Sequence, residues 1–245
     1  PHTMKKEIIT RIKEQATLMA KELGVIGLMN VQFAVKGEDI YVLEVNPRAS
    51  RTVPFVSKAI GRPLAKLAAQ CMAGKKLTDP ALNFTEEITP VYYSVKEAVL
   101  PFVKFHGVDI ILGPEMKSTG EVMGIDRSFA RAYAKSQIAA SSALPAAGTI
   151  FLSVKEKDKK AVVDIAKRLA DLGFELVATQ GTAKVLSDAG ITAKPLRKLA
   201  EGSPNVLDLI NRKAVQLIIN TPSGAKPRKD EVTIRSSAVS RGISC

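Results

Sequence analysis

The sequence predicts an α/β protein in two parts. A helix and a β-hairpin come first, and a parallel sheet flanked by helices follows. Three observations predict this. From Thr149 onward, short β-rich runs alternate with helical stretches, the signature of strand–helix–strand units in one sheet. Before it, two strand-like runs, Asn30–Lys36 and Asp39–Leu43, flank a Gly37-Glu38-Asp39 loop and lead into Glu44-Val45-Asn46-Pro47-Arg48. Between the two parts, residues 143–148 are small and include a proline, which places a domain boundary there.

The first element is a helix over Thr3–Leu23. Thr3 serves as N-cap, Ile8, Ile9, Ile12, Ala16, Met19 and Leu23 recur at helical spacing, and Gly24 suits the residue after the helix. The hairpin comes next. Side chains alternate faces along a strand, so Glu44 and Asn46 point the same way, about 7 Å apart. Pro47 ends the strand, and Arg48 leaves it where the two oxygen-bearing side chains stop. With a three-residue loop, Gln32 sits opposite Glu44, and Val31, Phe33, Val35, Tyr41, Leu43 and Val45 share the other face. A two-residue loop would put Gln32 and Glu44 on opposite faces, since a one-residue slip inverts the pattern. The three-residue loop is the expectation. A carboxylate, amide oxygens and a guanidinium suit a divalent ion on a triphosphate. The same pattern also fits an ordinary amphipathic hairpin with its polar face in water.

A second helical pattern runs from Ser57 or Arg51 to Ala73, interrupted at Gly61-Arg62-Pro63, with Pro63 in the first turn of a helix over Leu64–Met72 ended by Gly74. Asp79–Thr89 reads as loop, Tyr92–Val95 as a short strand, Lys96–Phe105 as irregular and Gly113–Glu121 as an ordered surface loop. Ser128–Ser142 reads as a helix with Ser128 as N-cap. In the second part, Thr149–Val154, Phe174–Thr179 and Val215–Asn220 are strands. Asp158–Leu172, Thr182–Ala189, Pro204–Asn211 and Lys229–Arg241 are helices. Ligands of parallel sheets sit beyond the carboxyl ends of the strands. The turn 178–182 lies at one such end, where hydroxyls, Gly181 and free helix N–H groups make a phosphate cradle. Alone that signal is weak, because a Thr-x-Gly-Thr turn is usually only a helix cap.

Composition limits the function classes. Apolar residues make up 46% and charged residues 24%, enough for real cores; without Trp and with 5% aromatics, those cores are aliphatic. The net charge of +12 favours anionic partners. It is spread along the chain: residues 1–148 carry 19 Lys and Arg against 14 acids, and residues 149–245 carry 17 against 10. No basic run interleaves with aromatics, so the charge points to phosphorylated small molecules and not to nucleic acid. The two cysteines, Cys71 and Cys245, have no metal-ligand or disulfide pattern, which fits a reducing compartment, the cytoplasm. No apolar run approaches the ~20 residues that span a bilayer, so no membrane partner is expected. Pro1-His2-Thr3 does not read as a native start. The chain is expected to be an excised piece whose last residues, Ile243-Ser244-Cys245, cut the second domain within a strand.

Several stretches resemble the large subunit of carbamoyl phosphate synthetase. They are Asn30–Phe33, Glu44–Arg48 with Arg51, Tyr92–Glu97, and the more specific Leu112–Gly124. The resemblance covers essentially the whole chain. It implies the C-terminal part of an ATP-grasp fold followed by a Rossmann-like parallel-sheet regulatory domain. Residues 1–80 would be the end of the second, carbamate-phosphorylating ATP-grasp unit, 81–147 a connector, and 148–245 a methylglyoxal-synthase-like allosteric domain, truncated at its end. The activity implied is an ATP-dependent ligase. It makes carbamoyl phosphate from bicarbonate, glutamine-derived ammonia and two ATP, for pyrimidine and arginine synthesis. The fragment alone is expected to be inactive.

Carried over, Gln32, Glu44 and Asn46 resemble ligands of Mg²⁺ or Mn²⁺ for the substrate ATP, with K⁺ as a further candidate ion. Arg48 and Arg51 would stabilise the transferring phosphoryl group. Glu97, Leu100 and Leu112 resemble part of an ornithine activator site, although Cys245 stands where the family has a Tyr. Lys159, Thr179, Gly181, Thr182, Lys198 and Asn220 match a nucleotide effector site for UMP or IMP. Pro222 departs from the family there, offering neither the hydroxyl of the family's Thr nor an N–H. Implied partners are the remainder of the large subunit and the glutamine amidotransferase small subunit. Two alternatives stay open. One is a stand-alone lyase of methylglyoxal-synthase type, which would need a carboxylate base where Asn220-Thr221-Pro222 supplies none. The other is a fragment of a different ATP-grasp ligase.

Overall fold

A computed structural model describes residues 2–102, 115–221 and 225–245, the side chains of 225–229 excepted. The chain divides into two compact units, Pro1–Tyr93 and Ser94–Cys245.

In the first unit, α1 (Lys6–Glu22) begins later than its apolar spacing implies. Lys5 stands at the N-cap with no side-chain bond, so Thr3 does not cap it; Gly24 does follow in the left-handed conformation (φ 58°). The hairpin of β1 (Asn30–Lys36) and β2 (Asp39–Asn46) corrects the expected register. Lys36 pairs with Asp39, so the turn has two residues, Gly37 and Glu38. Gln32 nevertheless pairs with Glu44, because the ladder steps from Phe33↔Val42 to Gln32↔Glu44 and leaves Leu43 as an extra, bulged residue. The turn therefore shifts the register by one residue and the bulge shifts it back. As a consequence Tyr41 pairs with Ala34 and not with the apolar face expected for it, while Leu43 is unpaired and 64% exposed. Two helices follow, α2 (Thr52–Ile60) and α3 (Leu64–Met72), separated by Gly61 in the left-handed region and by Pro63, which is the N-cap and not part of the first turn. Ile8, Ala59, Leu67 and Leu82 are buried in this unit. The Tyr92 hydroxyl donates to the Ala59 carbonyl at 2.7 Å, and the Arg62 guanidinium lies 5.1 Å over the Phe84 ring.

The second unit starts with a two-stranded sheet of β3 (Tyr93–Val99) and β4 (Gly120–Asp126). Two expectations fail here. Lys96–Val99 is strand and not irregular chain, and Gly120 and Glu121 begin a strand in place of ending a loop; residues 113 and 114 of that loop lie outside the described residues. The Lys96–Glu121 ion pair, at 3.2 Å, links the two strands. Helix α4 (Phe129–Ala139) packs on β4 so closely that a Cβ on Gly124 would lie 2.0 Å from the Ala132 carbonyl oxygen. Only glycine permits that approach.

The rest is a four-stranded parallel sheet in the order β7-β6-β5-β8, built from β5 (Thr149–Val154), β6 (Glu175–Thr179), β7 (Lys194–Leu196) and β8 (Leu217–Thr221). Strand β7 is an addition to the expected set. Successive residues of β5 serve the two faces. Ile150 and Leu152 join Leu176, Ala178 and the buried sides of α5 (Lys159–Asp171) and α6 (Gln180–Asp188). Phe151 joins Val177, Ile218 and the buried sides of α7 (Val206–Asn211) and α8 (Ala225–Val239). Three layers result, α/β/α. The chain winds from β5 outward to β7 and then crosses to the far side of β5 to add β8, so the winding reverses between β5 and β8. Helix α6 starts at Gln180, two residues before the expected Thr182, and α8 starts at Ala225, before the expected Lys229.

Candidate functional site

Two clusters, one in each unit, gather residues singled out from the sequence. In the first, alternation on β1 and β2 and the bulge at Leu43 bring Gln32, Glu44 and Asn46 to one face. Gln32 Nε2 donates to Glu44 Oε1 at 2.7 Å, and Asn46 Nδ2 donates to the same oxygen at 2.9 Å. Arg48 extends the chain: its guanidinium donates to Asn46 Oδ1 at 3.3 Å and to the Ala49 carbonyl at 2.9 Å. Arg51 is the N-cap residue of α2. The cluster is open to solvent, with Gln32, Glu44, Arg48 and Arg51 exposed.

The donor set fits a hard divalent cation. It offers one carboxylate and two side-chain amides, groups that carry oxygen ligands, with both amide nitrogens bonded to one Glu44 oxygen. Each amide presents nitrogen to Glu44, and a half-turn about its terminal torsion exchanges nitrogen for oxygen. Among the described residues no group of three or more His, Cys, Asp or Glu side chains could hold a metal, so the amides are needed to complete any such site.

In the second unit a cavity of about 280 Å³ opens at the carboxyl edge of the parallel sheet. Its lining includes all six sequence-nominated residues, Lys159, Thr179, Gly181, Thr182, Lys198 and Asn220. They lie at the carboxyl ends of β6 and β8, beyond β7, and in the first turns of α5 and α6, the side of a parallel sheet where ligands sit. Thr179 ends β6 and is the N-cap of α6, yet its side chain does not cap the helix. Its hydroxyl lies 3.4 Å from both Ser153 Oγ and Thr182 Oγ1, and Thr182, only 1% exposed, accepts from the Val154 N–H at 3.3 Å. A Cβ on Gly181 would sit 3.5 Å from Lys159 Nζ, an ordinary contact, which puts that ammonium beside the start of α6. Asn220 pairs with Ser153 across the β5–β8 ladder. Lys198 precedes a 3-10 turn whose Glu201 carboxylate accepts the Lys198 backbone N–H at 2.9 Å.

Sequence reasoning missed other lining residues: Ser153, Lys155, Arg197 and Thr221, and the carboxylates of Glu156 and Asp230. Most neighbour a residue already singled out, so a rule that strand ends contribute consecutive residues would have found them. Asp230 lies inside α8, past the end of β8, and no local signal points to it. With Lys155, Lys159, Arg197 and Lys198 against Glu156 and Asp230, the lining is net cationic, as an anion site requires. Phe151, Val206 and Ile234 add an apolar wall. Pro222 lies outside the described residues.

The third set is only partly described. Glu97, on β3, accepts from Gln137 Nε2 of α4 at 2.8 Å. Leu100 follows the strand, half-buried, and Leu112 lies outside the described residues.

Both parts of the chain match known family models. Residues 1–79 match the family model of the carbamoyl-phosphate synthase L chain ATP binding domain, and residues 161–245 match the MGS-like domain. The chain is 56% identical over 245 residues to the carbamoyl phosphate synthase large chain of Pseudomonas aeruginosa, covering all of this chain and 23% of that one. It is 51% identical over 243 residues to the large chain of Myxococcus xanthus and 51% over 242 residues to that of Vibrio cholerae, covering 99% of this chain and 22% of each relative. The chain therefore spans less than a quarter of the length of these relatives. A crystal structure of methylglyoxal synthase from Elizabethkingia anophelis covers 39% of this chain and 68% of its own at 21% identity and a TM-score of 0.32, a likeness too slight to bear on function.

Proposed function

We propose that this chain, a member of the carbamoyl phosphate synthase large-chain family, works within a longer subunit as an effector-binding module joined to part of a phosphoryl-transfer site. The observation that carries the effector reading is the cavity, in which four cations, three threonine hydroxyls and the start of α6 converge beside an apolar wall. A nucleotide monophosphate matches that chemistry. Its phosphate would take Lys159, Lys198, the Thr179 and Thr182 hydroxyls and the α6 N–H groups, and its sugar or base would face Asn220 and the apolar side chains. UMP and IMP are the proposed effectors. Ornithine is proposed for the surface around Glu97, whose carboxylate would answer the ligand's amino group.

In the first unit, Gln32, Glu44 and Asn46 would hold Mg²⁺ or Mn²⁺, which when bound supplies positive charge to the phosphates of ATP. Arg48 is bonded to Asn46, so its guanidinium is already directed to the same face, where it and Arg51 would stabilise charge on the phosphoryl group in transfer. The whole reaction requires chain beyond these 245 residues, so the isolated chain should make no carbamoyl phosphate. The proposed partners are the remainder of the large subunit and a glutamine-hydrolysing small subunit, in the cytoplasm. Among the described residues, no helix is long and apolar enough to cross a membrane.

Calorimetric titration of the chain with UMP, IMP and ornithine tests the effector reading; no heat with any of the three would refute it. The lyase alternative gains a little from the carboxylates of Glu156 and Asp230 in the lining. A colorimetric assay for methylglyoxal from dihydroxyacetone phosphate separates the two, and the effector reading expects none.

A further inference from the structure

The lysine-bearing wall of the cavity comes from one short connection. Between β5 and α5 the chain makes a 3-10 turn, Glu156–Asp158, flanked by Lys155 and Lys159. Residues three apart on such a turn lie one above the other. Here that spacing pairs each base with an acid: Lys155 Nζ lies 3.5 Å from Asp158 Oδ2, and Lys159 Nζ lies 2.6 Å from Glu156 Oε2. Lys155, Lys159 and Glu156 all line the cavity. The two members of the shorter pair differ sharply in exposure, 20% for the Lys159 side chain against 86% for that of Glu156. The ammonium is recessed beside Gly181 at the start of α6, and the carboxylate reaches it from solvent.

An exposed carboxylate on a recessed ammonium occupies the place an incoming anion would take. We infer that Glu156 is an internal counter-ion of the cavity, competing with the phosphate of a bound nucleotide for Lys159 and so holding the affinity down. This inference rests on the nucleotide-site reading above. Two physical terms act together. The Glu156–Lys159 pair must open before phosphate can reach the ammonium, and the freed carboxylate then stays close enough to repel the phosphate. Both terms are modest, because Glu156 keeps most of its hydration and salt screens it. The counter-ion therefore tunes binding strength without blocking it.

Titration of the 245-residue chain with UMP at low salt tests this, using the unmodified chain, Glu156→Gln, Lys159→Met and the double variant. Glu156 is exposed and away from both cores, so its replacement leaves folding intact. Glu156→Gln should bind UMP about two- to fivefold more tightly, the range an exposed ion pair supports. That gain should fade as salt rises to about 0.5 M and disappear when Lys159 is also replaced. If the unmodified chain binds UMP, Lys159→Met weakens it and Glu156→Gln leaves it unchanged or weaker, the counter-ion role is overturned and the site stands. Absence of UMP binding in all four proteins overturns the site and this inference with it.

Discussion

At the scale of single residues, the chemistry depends on which atoms are already engaged. Glu44 Oε1 accepts two amide N–H bonds, so its charge holds Gln32 and Asn46 in place. In the intact subunit, Glu44→Gln should abolish carbamate phosphorylation and leave bicarbonate-dependent ATP turnover largely intact; equal loss of both would assign Glu44 a structural role. Lys198 donates its backbone N–H to Glu201, so the turn does not depend on its side chain. Lys198→Ala should therefore cost nucleotide binding alone, by roughly 1.5–3 kcal/mol if a charge-assisted bond to phosphate is lost. Unchanged UMP and IMP isotherms would remove it from the site. Asp126 is a different case, with a structural role. The bond from Lys135, the Ser128 N–H and the charge of Arg131 lower its carboxyl from 3.8 to about 2. Its folded-state value is depressed, so its contribution to stability is complete above about pH 4 and is lost as pH falls toward 2. Urea midpoints measured across that window should drop, and the drop should be shallower in Asp126→Asn.

At the scale of elements, small sequence details decide how strands and helices meet. Gly124 lets α4 lie against β4, and an added Cβ there would fall 2.0 Å from one backbone oxygen and 2.5 Å from the Ser136 nitrogen. Backbone cannot yield as a side-chain tip can, so Gly124→Ala should destabilise the second unit by about 2 kcal/mol or more, read from urea unfolding. In the hairpin, the two-residue turn and the bulge at Leu43 cancel, and Gln32 faces Glu44 only because both are present. On α6, Thr179 spends its hydroxyl on Ser153 and Thr182, so the N–H groups of the first turn are not capped by its side chain.

At the scale of the molecule, the two units bury their apolar residues very differently. The second unit has two cores on opposite faces of one sheet, with Ile150, Phe151, Leu152, Leu186 and Ile210 at 1% exposure or less. The first unit buries few large residues and exposes Leu18, Leu23, Ile26, Leu43 and Met72. Local opening follows the density of buried apolar contact. Hydrogen exchange of the 245-residue chain should therefore be fast in α1, β1 and β2 and slow in β5, β6 and β8; equal protection would contradict this account of the cores.

Legibility followed the range of the forces involved. Strands β5 and β6 and helices α3 and α5 could be read to within a residue or two, because apolar periodicity and Gly or Pro punctuation are local properties of the chain. Short β7 has three residues, too few for a period, and β4 was masked by a polar, turn-rich neighbourhood. The six positions proposed for a nucleotide came from resemblance, with Thr179, Gly181 and Thr182 also marked by the strand-end turn 178–182, and strand-end logic accounts for why they meet. Arg197 is the sequence neighbour of Lys198, whereas Asp230 joins them only through the docking of α8. The residue pattern by itself determined an α/β chain with a polar hairpin tip and a parallel sheet whose strand ends carry cations and hydroxyls. The tertiary structure decided the register that sets Gln32 against Glu44, and it set the carboxylates that face the lysines. Register and charge pairing depend on atoms brought together across the chain, and local periodicity does not specify those distances.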